Sequence, residues 1–430
     1  MEDRHLPLLT MARLVTGRIE VEELQEVVIP HVLAVCAGCR EIYQELQRLK
    51  QEVGHWDEIV AVMEGPDAPD LWQRLQGLPY EQQLRQVEED GGLQTWALCR
   101  LLLRKSFEEA PHRPNLAEQV AFLAVKVAVH LGDAYDRDWV TDLRALAFAY
   151  LGNARRVIGE LRSAEDAFYE AHSHFRASGT GNPRIEAEIL DLEASLRRDQ
   201  RRFEEALELL RQVIAIYTSE DPEVQDLHLA GQALVKKAYT LEQLGEVQQA
   251  ITVLREAEPM IVRDRDPHLV LSLKHNLILA LAGVGRNQEA AALLPEVREL
   301  ALRLGNDLDV LRVRWAEGRV AFGLGQRGPA EQTFKELQRE FLERGMGYDA
   351  ALVSLDIAVL YAQEGCIPEL KQLALDILPV FSSQEVHREA MAALLLFQHA
   401  CEDERLTVEL ARQLASLLER ERRPGARWPR

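Results

Sequence analysis

The sequence predicts an all-α fold built from repeated helical hairpins, and three observations carry this prediction. The 430 residues are dominated by Leu, Ala, Glu, Arg and Gln, which are strong helix formers. Strand-like runs, in which β-branched and aromatic residues alternate with polar ones, are nearly absent. From about residue 139 onward the sequence is self-similar, with equivalent alanines spaced by about 40 to 44 residues. Such a repeat is typical of an α-solenoid, in which each hairpin packs only on its neighbours.

Composition and charge restrict the class of protein. Hydrophobic residues make up 47% of the chain, which is enough for a continuous core. The net charge of −20 repels phosphate backbones, so we expect no direct binding to nucleic acid. Five cysteines make no disulfide framework and fit a reducing compartment. The first residues are not a cationic segment followed by an apolar one, and no apolar stretch is long enough to cross a bilayer, so we expect no leader peptide and a cytoplasmic protein without membrane contact.

The first 54 residues lack the repeat and are expected to form a small helical module. Two short helices, 7–16 and 20–29, are followed by Pro30, which disfavours helix at the residue before it. Cys36 and Cys39 then precede a third helix, where exposed N–H groups and the helix dipole stabilise thiolates. Two thiolates and the imidazole of His31 hold a tetrahedral zinc ion once a fourth donor is supplied.

This module resembles the zinc-binding anti-sigma domain. The resemblance lies in the segment 14–19, in Glu22-Glu23-Leu24, and in the order His31, Cys36, Cys39. The family pattern is His-x-x-x-Cys-x-x-Cys with a fourth ligand upstream, whereas here four residues separate the histidine from the first cysteine. On a regular helix this spacing rotates the cysteine away from the histidine by about 140°, so the helix must break or bulge between them. The zinc ligands implied by the resemblance are His31, Cys36, Cys39 and His5.

The resemblance also implies a partner, a sigma factor, and a regulatory role in transcription. Two other interpretations of the same residues stay open. In the first, the module binds no metal and its helices are held by ordinary packing. In the second, the two cysteines close to a disulfide on oxidation and act as a thiol switch.

The rest of the chain is expected to be a linker followed by the repeats. Residues 55–91 form the linker, with short helices at 71–75 and 80–87. Residues 92–430 form the solenoid, with about seven to eight hairpins. Its first pair of helices is degenerate, at 93–109 and 114–131. A last pair, at 385–402 and 405–421, caps the stack.

The segment 151–171 resembles the tetratricopeptide repeat. Gly152 falls early in the first helix, Gly159 at the turn, and Ala164 and Phe168 in the second helix. Small side chains at Gly152 and Ala164 let the two helices approach closely, and Gly159 is expected to adopt a positive φ. The equivalent alanines of the later units are Ala206, Ala250, Ala290 and Ala330. Cys99, Cys366 and Cys401 fall inside helical repeats and are expected to be small buried hydrophobic residues.

No catalytic motif supports an enzyme. The run from Gly323 to Gly328 matches the Gly-x-Gly-x-x-Gly fingerprint of dinucleotide-binding proteins. That fingerprint needs a strand before it, and here it falls at the turn of the fifth repeat. Two histidines, His172 and His174, are two residues apart on a helix and face different ways. We therefore expect no catalytic residues and no cofactor apart from the one zinc ion.

The expected function is a protein-interaction scaffold with a regulatory role. The first helix of each hairpin lines an extended face, and cations there suit an acidic peptide, a C-terminal carboxylate or an amphipathic helix. Alignment on the repeat alanines places on this face Asn153, Arg156, Arg198, Lys236, Tyr239, His275, Asn276, Arg312, Trp315 and Arg319. The alternative is that the Lys and Arg residues are simply the solvated faces of amphipathic helices. The alternative function is an assembly adaptor with a metal-free, purely structural N-terminal module.

Overall fold

The structure, a computed structural model, describes residues 39–40, 43–44, 68–132, 135, 137–382 and 410–414. Across these ranges the chain is helical, with two short 3-10 turns and no strand. None of the helices in this part of the chain is both long enough and apolar enough to cross a membrane. The all-α prediction is confirmed.

Between residues 68 and 132, four helices precede the regular repeats. They are α1 (Ala68–Gln76), α2 (Tyr80–Glu89), α3 (Trp96–Glu109) and α4 (Pro114–His130). The two short helices expected in the linker and the degenerate pair after them are therefore all present. Pro114 lies in the first turn of α4, where its missing N–H costs no hydrogen bond.

Between residues 137 and 382, twelve further helices form the repeats, in pairs of a first and a second helix. The first helices are α5 (Arg137–Ile158), α7 (Pro183–Asp199), α9 (Leu227–Leu244), α11 (Pro267–Gly283), α13 (Asp307–Gly323) and α15 (Gly347–Glu364). The second helices are α6 (Leu161–Ser178), α8 (Phe203–Tyr217), α10 (Val247–Ala257), α12 (Asn287–Leu304), α14 (Arg327–Glu343) and α16 (Ile367–Ser382). The capping pair predicted after residue 384 lies almost wholly outside the described residues.

The chain divides into two compact units. Unit 1 comprises residues 1–202 and 215–225, and unit 2 comprises residues 203–214 and 226–430. The core of unit 1 contains Leu102, Leu146 and Phe168. Unit 2 has one apolar cluster around Leu277 and another around Phe334. The domain division predicted at residues 54 and 91 stays a prediction.

The small residues of the repeat lie where two helices touch. A Cβ atom on Gly152 would be 2.8 Å from the ring of Phe168 and 3.2 Å from the carbonyl oxygen of Ala164. Ala164 itself is fully buried, as are the four later alanines of the same position. Gly159, just after α5, has a φ of 99°. The predicted roles of these residues are confirmed.

Two cysteines differ from one another in their surroundings. Cys99 is fully buried in α3, where its thiol donates to the carbonyl oxygen of Ala124 at 3.4 Å. Burial raises the pKa of that thiol to about 12, so it stays protonated. The prediction for Cys366 is wrong, because the turn between α15 and α16 falls at this residue and leaves it only half-buried. Cys401 lies outside the described residues.

The glycine-rich run belongs to a helical hairpin. Gly323 is the last residue of α13, and Gly328 is the second residue of α14. No strand precedes it in the described part of the chain. The resemblance to a dinucleotide fingerprint is therefore accidental, as predicted.

Candidate partner-binding site

One of the four predicted zinc ligands lies in the described residues. Cys39 has no exposed surface and packs in the hydrophobic core of unit 1. His5, His31 and Cys36 lie outside the described residues. Within those that are described, no three His, Cys, Asp or Glu side chains come close enough to hold a metal ion. The zinc site stays a prediction.

In unit 1 the predicted partner-binding residues lie on α5 and α7, and the two arginines among them share a buried carboxylate. Arg156 donates from Nε and Nη2 to Asn153 Oδ1, at 3.2 and 2.9 Å. Its Nη1 donates to Asp199 Oδ2 at 2.5 Å. Arg198 donates to the other oxygen of Asp199 from Nε and Nη2, both at 3.1 Å. Asp199 thus holds two of the predicted cations on this face.

In unit 2 two of the predicted residues on α13 converge on a carboxylate of α15. Trp315 Nε1 donates to Asp356 Oδ2 at 2.6 Å, and Arg319 Nε donates to the same oxygen at 2.8 Å. The Arg319 guanidinium lies 5.0 Å from the centroid of the Trp315 ring. Trp315 also makes an edge-to-face contact with Phe341, with ring centroids 6.0 Å apart. These contacts fix an aromatic ring and a cation in one arrangement.

The remaining predicted residues of unit 2 are largely buried on α9, α11 and α13. His275 is 6% exposed, and burial together with the charge of Arg312 lowers its pKa to about 4. Its imidazole is therefore neutral at pH 7. Lys236 and Arg312 are 8% and 4% exposed. Tyr239 and Asn276 are half-buried.

The predicted surface is thus less open to water than an ordinary helix face. Four of its cations, Arg156, Arg198, Lys236 and Arg312, are buried. A solvated amphipathic face does not bury its charges, so the alternative interpretation does not describe these four residues. The Arg319 side chain is 24% exposed, whereas the side chains of Arg156 and Arg198 are 6% and 8% exposed.

Sequence reasoning missed both carboxylates, Asp199 in unit 1 and Asp356 in unit 2. Asp199 follows Arg198 directly, and Asp356 lies 41 residues after Trp315, about one repeat further on. A search for acidic residues about one period after each predicted donor, such as Trp315, would have found Asp356. Asp199 is 43 residues after Arg156 and fits the same rule.

Comparisons with known proteins support the fold. No protein-family model and no curated protein matches this chain. Among solved structures, 25 chains match. One is the crystal structure of a Rap protein complexed with competence and sporulation factor, with 14% sequence identity and a TM-score of 0.51. The match covers 74% of this chain and 88% of that chain. At this identity the likeness shows the fold, an all-α solenoid of tetratricopeptide-like hairpins.

Proposed function

We infer that this chain is a non-enzymatic protein-interaction scaffold that binds a peptide or helix of a partner on the first-helix face. The observation that carries this inference is the cluster of Trp315, Arg319 and Asp356 in unit 2. A guanidinium stacked on an indole and held by a carboxylate has already lost its side-chain freedom. Such a group binds a partner at a lower entropic cost than a mobile arginine.

The chemistry of the cluster fits an interface. Trp and Arg are the residue types most enriched among side chains that dominate binding energy. The partner chemistry that suits Arg319 is a carboxylate, from an acidic side chain or a C-terminus. A Rap protein with the same fold was solved with a bound factor, which supports a partner-binding role by analogy of fold.

The finer proposal concerns the identity of the partner. An anti-sigma-like regulator would bind a sigma factor through a zinc-containing N-terminal module, and the hairpins would receive a cytosolic signal. The second candidate is an assembly adaptor whose N-terminal module is metal-free. A pull-down with purified sigma factors, combined with a zinc assay, separates the two. A zinc-free protein that binds none of the sigma factors contradicts the first.

The scaffold proposal is tested by affinity capture with the full chain. Arg319→Gln removes the charge and keeps a donor for Asp356, so the fold is preserved. The matched control is Arg303→Gln, an exposed arginine of α12 away from the first-helix face. We expect a partner that wild type and the control capture and the Arg319 variant does not. Equal capture by all three proteins contradicts the proposed face.

A further inference from the structure

Unit 1 contains an open cleft of about 420 Å³ between α6 and α7. Because an α-helix turns about 100° per residue, Arg197 of this cleft points about 160° away from Asp199 on the same helix. The cleft therefore lies on a different side of α7 from the first-helix face. The side chains that line it are Glu165, Tyr169, His172, Arg176, Glu193 and Arg197.

The acidic groups of the cleft already have partners within it. His172 Nε2 and Arg197 Nη2 each lie 2.6 Å from an oxygen of Glu193. Burial would raise the pKa of Glu193, but these two contacts outweigh it and hold the pKa below its usual value. Glu165 accepts from Arg197 and, at 2.9 Å, from Arg202. A positively charged ligand would have to break this network to reach either carboxylate.

Two side chains of the cleft remain available. Tyr169 is 68% exposed, the largest exposed fraction among the large hydrophobic residues of the described chain. Arg176, two turns further along α6, is exposed and makes no hydrogen bond or ion pair within the described residues. Tyr and Arg are residue types that dominate binding energy at protein interfaces. The cleft thus offers an aromatic ring and a cation on one face of α6, about 10 Å apart along the helix axis.

The local charge balance is neutral and so does not oppose an acidic partner at this position. Residues 137–202 contain 11 acidic and 11 basic side chains, in a chain whose net charge is −20. The excess negative charge therefore lies elsewhere in the sequence. An acidic segment is repelled less here than at other surfaces of the protein, and Arg176 supplies a local attraction.

We propose that Tyr169 and Arg176 form a second docking surface, which takes an acidic segment of a partner protein. A carboxylate of that segment binds Arg176, and a neighbouring apolar side chain covers Tyr169 and enters the cleft. A small molecule fits less well, because small-molecule sites enclose most of the ligand surface, whereas the Tyr169 ring stands out into water. A partner protein covers the ring and the cleft together.

The test is a selection from a random-peptide phage library against the immobilised full chain. Peptides that also bind Tyr169→Ala or Arg176→Glu are removed by counter-selection. We expect the remaining peptides to be enriched in Asp and Glu next to an apolar residue. An enrichment in Lys and Arg, or no peptide that depends on both residues, overturns the proposal.

A charge swap makes the test specific. Binding of the selected peptide, measured by calorimetry, should be about tenfold or more weaker for Arg176→Glu and unchanged for Arg85→Glu, an exposed arginine of α2. Replacing the acidic residues of the peptide by lysine should restore binding to Arg176→Glu. Loss without restoration by the swapped peptide contradicts a direct contact. Because Arg319→Gln should leave this binding unchanged, failure here is distinguishable from failure of the first-helix face.

Discussion

Arg156 of α5 and Asp199 of α7 form an ion pair whose side chains are only 6% and 5% exposed. The two helices are the first helices of neighbouring hairpins, so the pair joins one repeat to the next. The same carboxylate also accepts from Arg198. One buried carboxylate thus contacts two buried guanidinium groups, and its removal takes an acidic partner away from both.

We predict that Asp199→Ala lowers the free energy of unfolding by about 3–5 kcal/mol, because it removes the hydrogen-bonded carboxylate partner of two buried guanidinium groups. Asp199→Asn keeps an oxygen acceptor and should cost less. Urea denaturation followed by circular dichroism measures both. The control is Asp166→Ala on the exposed side of α6, which should stay within about 0.5 kcal/mol of wild type. Equal effects at both positions would show that the buried pair contributes no stability.

The close approach of α5 and α6 at Gly152 gives a second prediction. Gly152→Ala places a Cβ atom 2.8 Å from the Phe168 ring, so either this buried ring or the two helices must shift. We expect a loss of about 1–3 kcal/mol, as for other overpacked cores. Gly328→Ala is the matched control, because a Cβ atom there meets nothing within 4 Å. The same denaturation experiment should show little change or a small gain for Gly328→Ala.

The sequence alone predicts the helix crossing at Gly152, but it does not predict the pairing of Arg156 with Asp199. Gly152 and Ala164 lie close together in the sequence, within one hairpin, and the alanine position recurs in each repeat. Their small side chains indicate that two helices cross closely at this point. The partnership of Arg156 with Asp199 depends on the register between two hairpins. Many acidic residues lie within a few positions of the required spacing, so the sequence predicts the cations of the face and leaves their partners undetermined.

The cleft between α6 and α7 also contains one feature that the sequence predicts and one that it does not. The two-residue spacing of His172 and His174 predicts that they face different ways, and the structure confirms it. His172 bonds to Glu193 in the cleft, whereas His174 stacks on Phe148 with ring centroids 5.3 Å apart. The exposure of Tyr169 cannot be predicted in this way, because an aromatic residue on a helix is more often buried. Only the packing of α6 on α7 shows that its ring faces solvent.

Stability should depend on pH through His275. The unfolded imidazole takes up a proton near its ordinary pKa of 6.5, whereas in the folded protein burial, with a further contribution from Arg312, lowers that pKa to about 4. Between these values the unfolded state binds more protons, so the free energy of unfolding falls as the pH falls. The slope from this one group reaches at most about 1.4 kcal/mol per pH unit.

Denaturation curves between pH 7 and 4 for wild type and His275→Gln measure this contribution. The difference in free energy of unfolding between the two proteins should shrink or reverse as the pH is lowered, because the variant has no imidazole to protonate. The control is His112→Gln, an exposed histidine that follows α3. A pH dependence identical in wild type and His275→Gln would contradict a buried, neutral imidazole at this position.

The N-terminal module gives the last prediction, since its metal content distinguishes the regulator from the adaptor. We expect about one zinc ion per purified chain by mass spectrometry of the metal content, with the ion held by thiolate and imidazole ligands. Cys36→Ser should remove the zinc, because it takes away a ligand. Cys366→Ser, in the turn between α15 and α16, is the matched control and should retain it. A zinc-free wild type whose Cys36 and Cys39 titrate as thiols favours the metal-free adaptor, whereas loss of both thiols on oxidation favours the redox switch.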